Sequence, residues 1–175
     1  MSLQEKQNLL ARLYTDENFR KSFLSEPQKT GRENNLSERE IAEIAEIIPE
    51  QLNFFADSLF WKRLCETEKF LPETKKELNE NFANLFRHFS RNYNPQSVKK
   101  HLEDAYNFCE FLLKNTELSE QSKSIVKFEK SKLGFFGYGK RFVFCILDYN
   151  LKTQKDRKTF AVWFRLNGKN YHFVW

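Results

Sequence analysis

The spacing of apolar residues changes once along this chain, across a glycine-rich segment that runs from Gly134 to Gly139. Before that segment, apolar residues recur three or four positions apart, which is typical of amphipathic helices. After it, apolar and aromatic residues recur at every second position, which is typical of strands. We therefore predict an α+β fold, in which an N-terminal all-α bundle of about six to seven helices is followed by a small three-stranded antiparallel β meander packed on it. The predicted parts are a helical bundle at 1–132, a joint of glycine and aromatic residues at 133–139 and a basic antiparallel β module at 140–175.

Several predicted helices begin at residues whose side chains accept hydrogen bonds from free backbone N–H groups. Thr15-Asp16-Glu17 is expected to supply an N-cap and acidic first-turn residues, and Ser97 and Ser119 are expected to cap two later helices. Ser37-Glu38-Arg39-Glu40 matches a capping box. The helix that this box opens is expected to bury Ile41, Ile44, Ala45 and Ile48.

Two prolines are expected to interrupt the helical region. Pro27, together with Gly31, is predicted to end the second helix, and the polar segment 28–36 is predicted to form a loop. Pro72 is predicted to end or kink the helix that starts at Pro49.

The sheet is expected to have one packed face, because three strands are not stable alone. The predicted strands cover residues 140–149, 159–166 and 170–175. Asn167-Gly168 is a strong hairpin signal between the last two. Alternate residues of the second strand form two sets, Phe160, Val162 and Phe164 against Ala161, Trp163 and Arg165. We expect one aromatic face to pack on the helices, and the other face to present Trp163, Arg165 and His172 to solvent or to a partner.

Positive charge is concentrated in the C-terminal third. The net charge is +5, but the residues from Glu120 onward carry 12 Lys and Arg against 4 Asp and Glu. This asymmetry favours two surfaces with different partners, and the alternative is chance together with the demands of solubility. The candidate binding residues are Lys140, Arg141, Arg157, Lys158, Trp163, Arg165, Lys169, Tyr171 and His172.

Two kinds of partner fit these residues. Cations attract phosphates and exposed aromatic rings stack on unpaired bases, which would suit a nucleic acid. The same cations would suit an acidic protein or peptide. The alternative to both is that the aromatic residues form the core of the small module and the cations form its wet rim.

The motifs of common enzymes and metal sites do not occur in this sequence. It has no GxSxG, P-loop, GxGxxG or HExxH, and its histidines, His88, His101 and His172, occupy different predicted elements. The three cysteines, Cys65, Cys109 and Cys145, lie far apart in apolar surroundings and are expected to be buried. We therefore expect no catalytic residue, no metal and no cofactor. Neither a signal peptide nor a membrane span is recognisable, so we expect a cytoplasmic protein without a membrane partner.

The second half of the helical region has a recurring set of aromatic, leucine and proline positions: Phe70-Leu71-Pro72, Leu78, Phe82, Leu85, Phe89, Pro95-Gln96-Ser97, Phe108 and Phe111-Leu112. This pattern resembles the helical domain of bacterial accessory proteins of the HvfC and MbnC type. The opening segment Leu10-Ala11-Arg12-Leu13-Tyr14-Thr15-Asp16, with Arg20 and Phe23-Leu24, is similar to a related group of bacterial helical proteins. Together the two resemblances cover roughly the first 113 residues.

The resemblance implies two roles. One is a non-catalytic partner of an iron-dependent enzyme that modifies a ribosomal peptide, and the other is the DNA-binding label that the same helical domain has carried. Those accessory proteins continue into a longer and different C-terminal domain, so no site residue is carried over.

We interpret the chain as a non-enzymatic binding or adaptor protein, an accessory subunit that recruits a peptide or protein through its basic aromatic sheet. The alternative is a nucleic-acid-binding or transcription-regulatory protein that uses the same surface. A third interpretation is an enzyme, or a carrier of an apolar ligand in a core supplied by 19 phenylalanines.

Overall fold

The computed structural model describes residues 3–46 and 49–175 and confirms the α+β fold. In that part of the chain, nine helices precede a three-stranded antiparallel sheet. The helices are α1 (Leu3–Thr15), α2 (Glu17–Ser25), α3 (Pro27–Glu33), α4 (Glu38–Ala45), α5 (Pro49–Phe70), α6 (Pro72–Leu78), α7 (Asn81–Arg91), α8 (Lys100–Asn115) and α9 (Glu120–Lys132). The strands are β1 (Phe142–Leu147), β2 (Thr159–Leu166) and β3 (Lys169–Val174), in the order β1-β2-β3. None of these helices is long and apolar enough to cross a membrane.

The chain divides into two compact units, Met1–Arg63 and Leu64–Trp175, with the boundary inside α5. The core of the first unit includes a cluster of buried side chains formed by Leu9, Leu13, Phe19, Phe23, Ile44 and Leu52. Two of the predicted caps in this unit are confirmed. Asp16 Oδ1 accepts a hydrogen bond from the N–H of Phe19 at 2.9 Å, and Ser37 and Glu40 form the capping box. Of the side chains expected to be buried in α4, Ile41 and Ile44 are buried, Ala45 is exposed and Ile48 lies outside the described residues.

The two interrupting prolines begin helices as well as limiting the preceding ones. Pro27 is the first residue of α3 and Pro72 is the first residue of α6. Because α3 extends to Glu33, the prediction of a loop at 28–36 is wrong for residues 28–33 and confirmed for residues 34–36. At this position a proline costs no hydrogen bond, because the first N–H groups of a helix have no partner within it. Gly31 lies inside α3, where an added Cβ would come within 2.4 Å of Ile41 Cγ1. A glycine is therefore what allows α3 and α4 to approach each other.

Glu103 replaces Ser97 as the polar group that organises the start of α8. The helix begins at Lys100, two residues later than a cap at Ser97 predicts, and the Glu103 carboxylate accepts hydrogen bonds from the N–H groups of Gln96 and Ser97. The predicted cap at Ser119 is confirmed, since its hydroxyl accepts a hydrogen bond from the N–H of Ser122 at 3.0 Å.

Aromatic rings fill the helical core of the second unit. The Phe108 ring lies 5.2 Å from those of Phe82 and Phe86, in edge-to-face contact with both.

One buried carboxylate joins two helices of this unit. Glu129 of α9 accepts hydrogen bonds from the backbone N–H groups of Glu73 and Thr74, at 3.0 and 2.9 Å, and so closes the first turn of α6.

The joint between helices and sheet is a π-helical turn, Leu133–Gly137, where a loop was predicted. Gly137 packs so closely on α8 that an added Cβ would lie 2.5 Å from Leu102 Cδ1.

The predicted hairpin is confirmed, because Asn167 and Gly168 both have positive φ, 50° and 75°.

Candidate interaction surface

The two faces of the C-terminal sheet differ in exposure. The strand register places Phe164 opposite Tyr171 on one face. One residue along, it places Trp163 opposite His172 on the other face. The face that carries Trp163 packs on α9, since the buried side chains there also contact Phe128 of that helix.

Trp163 is a core residue, so the prediction that it faces solvent or a partner is wrong. Its side chain is only 1% exposed, and its ring lies 5.2 Å from that of Phe128. The imidazole of His172 stacks on the indole at 4.8 Å, with 13° between the planes, and covers another side of the ring. The buried neighbours in this cluster are Phe135, Cys145, Leu147 and Ala161.

The choice of packed face follows from side-chain size. The small residues Cys145 and Ala161 lie on the same face as Trp163, and they leave room for a helix to pack against the sheet. The opposite face carries large side chains at almost every position. Five aromatic rings on and next to β2 and β3 form stacked pairs or tilted contacts there, so a helix could not approach that face as closely.

The opposite face, which we term the aromatic face, is apolar and open to solvent. It consists of Phe142, Phe144, Ile146, Phe160, Val162, Phe164, Leu166, Tyr171, Phe173 and Trp175. Phe142, Phe173 and Trp175 are 63%, 52% and 60% exposed. Neighbouring rings support one another, as in the stacked pair Phe164 and Tyr171 at 5.2 Å.

The aromatic face is large for a surface that stays in water. Seven of its side chains are more than a third exposed. At roughly 200 Å² for each large side chain and about half of it exposed, they present on the order of 700 Å² of accessible area. The largest apolar patch on a typical monomer is about 300–600 Å², and each partner of a standard protein interface contributes about 800 Å². The size of the aromatic face is therefore that of a binding surface.

The predicted cations do not gather on this face. Arg165 donates hydrogen bonds to the backbone oxygens of Phe135 and Gly139 and lies 4.9 Å above the Phe135 ring, so it links the sheet to the segment that precedes β1. The ammonium of Lys140 lies 5.8 Å from the ring of Tyr106 on α8. Only Lys169, opposite Leu166 at the hairpin end, is in register with the aromatic face. The other predicted cations, Arg141, Arg157 and Lys158, are exposed in the segments that precede β1 and β2.

His172 lies at the margin of the packed face and not in the aromatic face. It lines a cleft of about 620 Å³ together with Phe128, Tyr149 and Lys152. Partial burial and, to a smaller extent, the nearby Lys152 and Lys132 lower the pKa of His172 below its usual value. The ring is therefore mainly neutral at pH 7, and it is placed to pack on Trp163.

The described residues offer no grouping of three His, Cys, Asp or Glu side chains that could hold a metal ion. Burial raises the pKa of the Cys109 and Cys145 thiols, which keeps both protonated and unreactive near neutral pH. Cys65 is exposed on α5, so the prediction that all three cysteines are buried is wrong for this one.

Sequence reasoning missed most of the residues of the aromatic face. Phe142, Phe144, Ile146 and Phe173 were not among the candidates, and of the face only Tyr171 was. The sequence of β1 held a signal for which face is packed. Its alternate residues form one set that contains the small Cys145 and another that contains the bulky Phe144, and a helix packs more closely on the set with the smaller side chain.

Comparison of the chain with known protein families, curated proteins and solved structures finds no match to any of them. The resemblance of the helical region to HvfC and MbnC accessory proteins stays a prediction.

Proposed function

We propose that this protein is a non-enzymatic binding protein, and that a protein or peptide partner docks on the aromatic face. The observation that carries the proposal is the exposure of a contiguous apolar surface on the side of the sheet turned away from α9. An apolar surface of this size stays in water at a cost in free energy, and contact with a partner removes that cost. An accessory role in peptide recruitment, as the sequence resemblance implies, is compatible with such a surface.

The composition of the face favours a protein over a nucleic acid. Single-stranded nucleic acid is held by aromatic rings together with cations that follow the phosphates. Here the face includes the aliphatic side chains Ile146, Val162 and Leu166, which stack poorly on bases, and Lys169 is the one cation in register with it. Apolar anchors of a protein partner suit such a surface, and the surrounding positive charge favours acidic residues at the edge of that partner.

The test uses peptides selected from a displayed random library against the intact chain, with affinities measured by fluorescence anisotropy. Two pairs of variants match the chemical change inside and outside the face. Phe173→Ser is compared with Phe54→Ser, and Trp175→Ala with Trp61→Ala, because Phe54 and Trp61 are exposed on α5, at 75% and 51%. Removing a central anchor of an interface costs about 2 kcal/mol or more, so we expect Phe173→Ser and Trp175→Ala each to weaken binding at least about 30-fold. The α5 variants should bind as the unmodified chain does.

Two results would count against the proposal. One is that the selected peptides bind the face variants as tightly as the unmodified chain. The other is that a labelled single-stranded oligonucleotide binds tightly at moderate salt and loses binding in Phe173→Ser, which would assign the face to nucleic acid. We expect random oligonucleotides to bind only at about tens of micromolar or weaker, mainly through charge.

A further inference from the structure

The outer edge of β1 carries backbone N–H and C=O groups that no other strand pairs with, and one of them, the Ile146 carbonyl, has a weak contact with the Cys145 thiol at 3.9 Å. The N–H of Arg165 donates to the carbonyl of Arg141 at 3.0 Å, so Arg141 and every second residue after it bond to β2. The residues that alternate with these, Phe142, Phe144 and Ile146, direct their N–H and C=O groups away from the sheet. Among the described residues, no backbone group bonds to these three.

Nothing in β1 protects this edge. Proteins commonly shield an edge strand with lysine, proline, a bulge or a covering element, because a bare edge pairs with other strands. The strand reads Phe-Val-Phe-Cys-Ile-Leu, without a charge or a proline, and it pairs with β2 without a bulge. The edge of β3 differs, since that strand begins with Lys169 and directs Asn170 and His172 outward.

We infer that β1 pairs with β1 of a second copy of this chain, antiparallel and about a two-fold axis at Phe144. In that register Phe144 lies opposite the same residue of the second copy, and Phe142 lies opposite Ile146. Each of these residues exchanges hydrogen bonds with its opposite, so all the free groups of the edge are paired. The strand is self-complementary, as a two-fold interface requires.

Charge supports this register. Lys140 precedes β1 and Asp148 follows it, so the two-fold arrangement places each Lys140 opposite Asp148 of the second copy. Within each chain Asp148 binds the Lys127 ammonium at 2.9 Å and Lys140 lies against the Tyr106 ring, so the two-fold arrangement brings opposite charges near one another at the strand ends without requiring a new ion pair. A parallel alignment would bring like charges together at each end.

The pairing uses the edge of the sheet and leaves the aromatic face free. Residues directly opposite each other in a sheet share a face, so the two aromatic faces would form one continuous surface on a six-stranded sheet. The inference therefore does not depend on the proposed function, and either can fail without the other.

The edge is tested by sedimentation equilibrium of the full chain and of two variants at Phe144. Phe144→Pro removes the outward N–H, which β2 does not use, and proline is tolerated at such edge positions. Phe144→Val is the matched control, since it also loses the ring but keeps the N–H. We expect the unmodified chain and Phe144→Val to form dimers, and Phe144→Pro to associate at least about tenfold more weakly.

Amide hydrogen exchange of the unmodified chain gives a second readout that needs no variant. The amides of Phe142, Phe144 and Ile146 should exchange more slowly as the protein concentration rises, because they are bonded only in the dimer. A chain that stays monomeric at several hundred micromolar would overturn the inference. Equal loss of association in Phe144→Val would also overturn it, because it would indicate contact through the aromatic face. So would slower hydrogen exchange of the Asn170 and Val174 amides in place of the β1 amides, because it would assign the contact to β3.

Discussion

Replacing Trp163 by alanine should destabilise the second unit far more than the same replacement at Trp175. The two tryptophans lie on opposite faces of the sheet, and their side chains are 1% and 60% exposed. Trp163 fills the space between β2 and α9, in contact with Phe128 and His172. Removal of a buried tryptophan side chain costs about 3–5 kcal/mol, because apolar burial is lost and a cavity remains. Trp175 leaves most of its surface in water, so we expect Trp175→Ala to cost about 1 kcal/mol or less.

The assay is a urea series followed by the native amide signals of α9 and β2 in ¹⁵N–¹H spectra. These signals report the second unit alone, whereas a signal averaged over the chain would mix the two units. We expect a clearly lower urea midpoint for Trp163→Ala and a nearly unchanged one for Trp175→Ala. The reasoning is refuted if Trp175→Ala lowers the midpoint as much as Trp163→Ala, because the packed and open faces would then be reversed.

Two further predictions concern carboxylates of the second unit. Glu129→Gln should lower the free energy of unfolding by about 1–3 kcal/mol, and the same urea series measures this loss. Each carboxylate oxygen of Glu129 accepts one backbone hydrogen bond at the start of α6, whereas a glutamine amide has only one oxygen. Hydrogen bonds from Ser97 and Tyr93 lower the pKa of Glu103 to about 2 from its usual 4.5. A depressed pKa in the folded state stabilises above pH 4.5, and this stabilisation is lost as the pH falls toward 2. Urea midpoints between pH 6 and 2 should therefore fall less steeply for Glu103→Gln than for the unmodified chain, and parallel curves would contradict this role.

Features set by local signals could be predicted from the sequence. The switch from helical to strand spacing, the cap at Ser119, the capping box at Ser37 and the hairpin at Asn167-Gly168 depend on a few neighbouring residues, and the structure confirms each of them. The prolines show where such signals are ambiguous. A proline can follow one helix and begin the next, as Pro27 does, and the close contact of Gly31 with Ile41 of α4 is not visible in the local sequence.

The exposed face of the sheet could not be predicted in the same way. Strand β1 is apolar on both sides, and in β2 the alternation defines two sets of residues without saying which set is buried. That choice depends on contact with Phe128 of α9, which is distant in sequence. The large indole of Trp163 suggested a binding anchor, but the small side chains of Cys145 and Ala161 beside it are what admit the helix.

The measurement that tests the central claim most directly is hydroxyl-radical footprinting of the chain with and without a bound partner peptide. In the free chain, Trp175 and Phe173 should be labelled readily and Trp163 only slowly, in keeping with their exposure. Addition of the peptide should protect Trp175 and Phe173, while Phe54, which is exposed on α5, keeps its labelling rate. Unchanged labelling of the aromatic face, with protection elsewhere on the chain, would contradict the claim that this face is the docking surface.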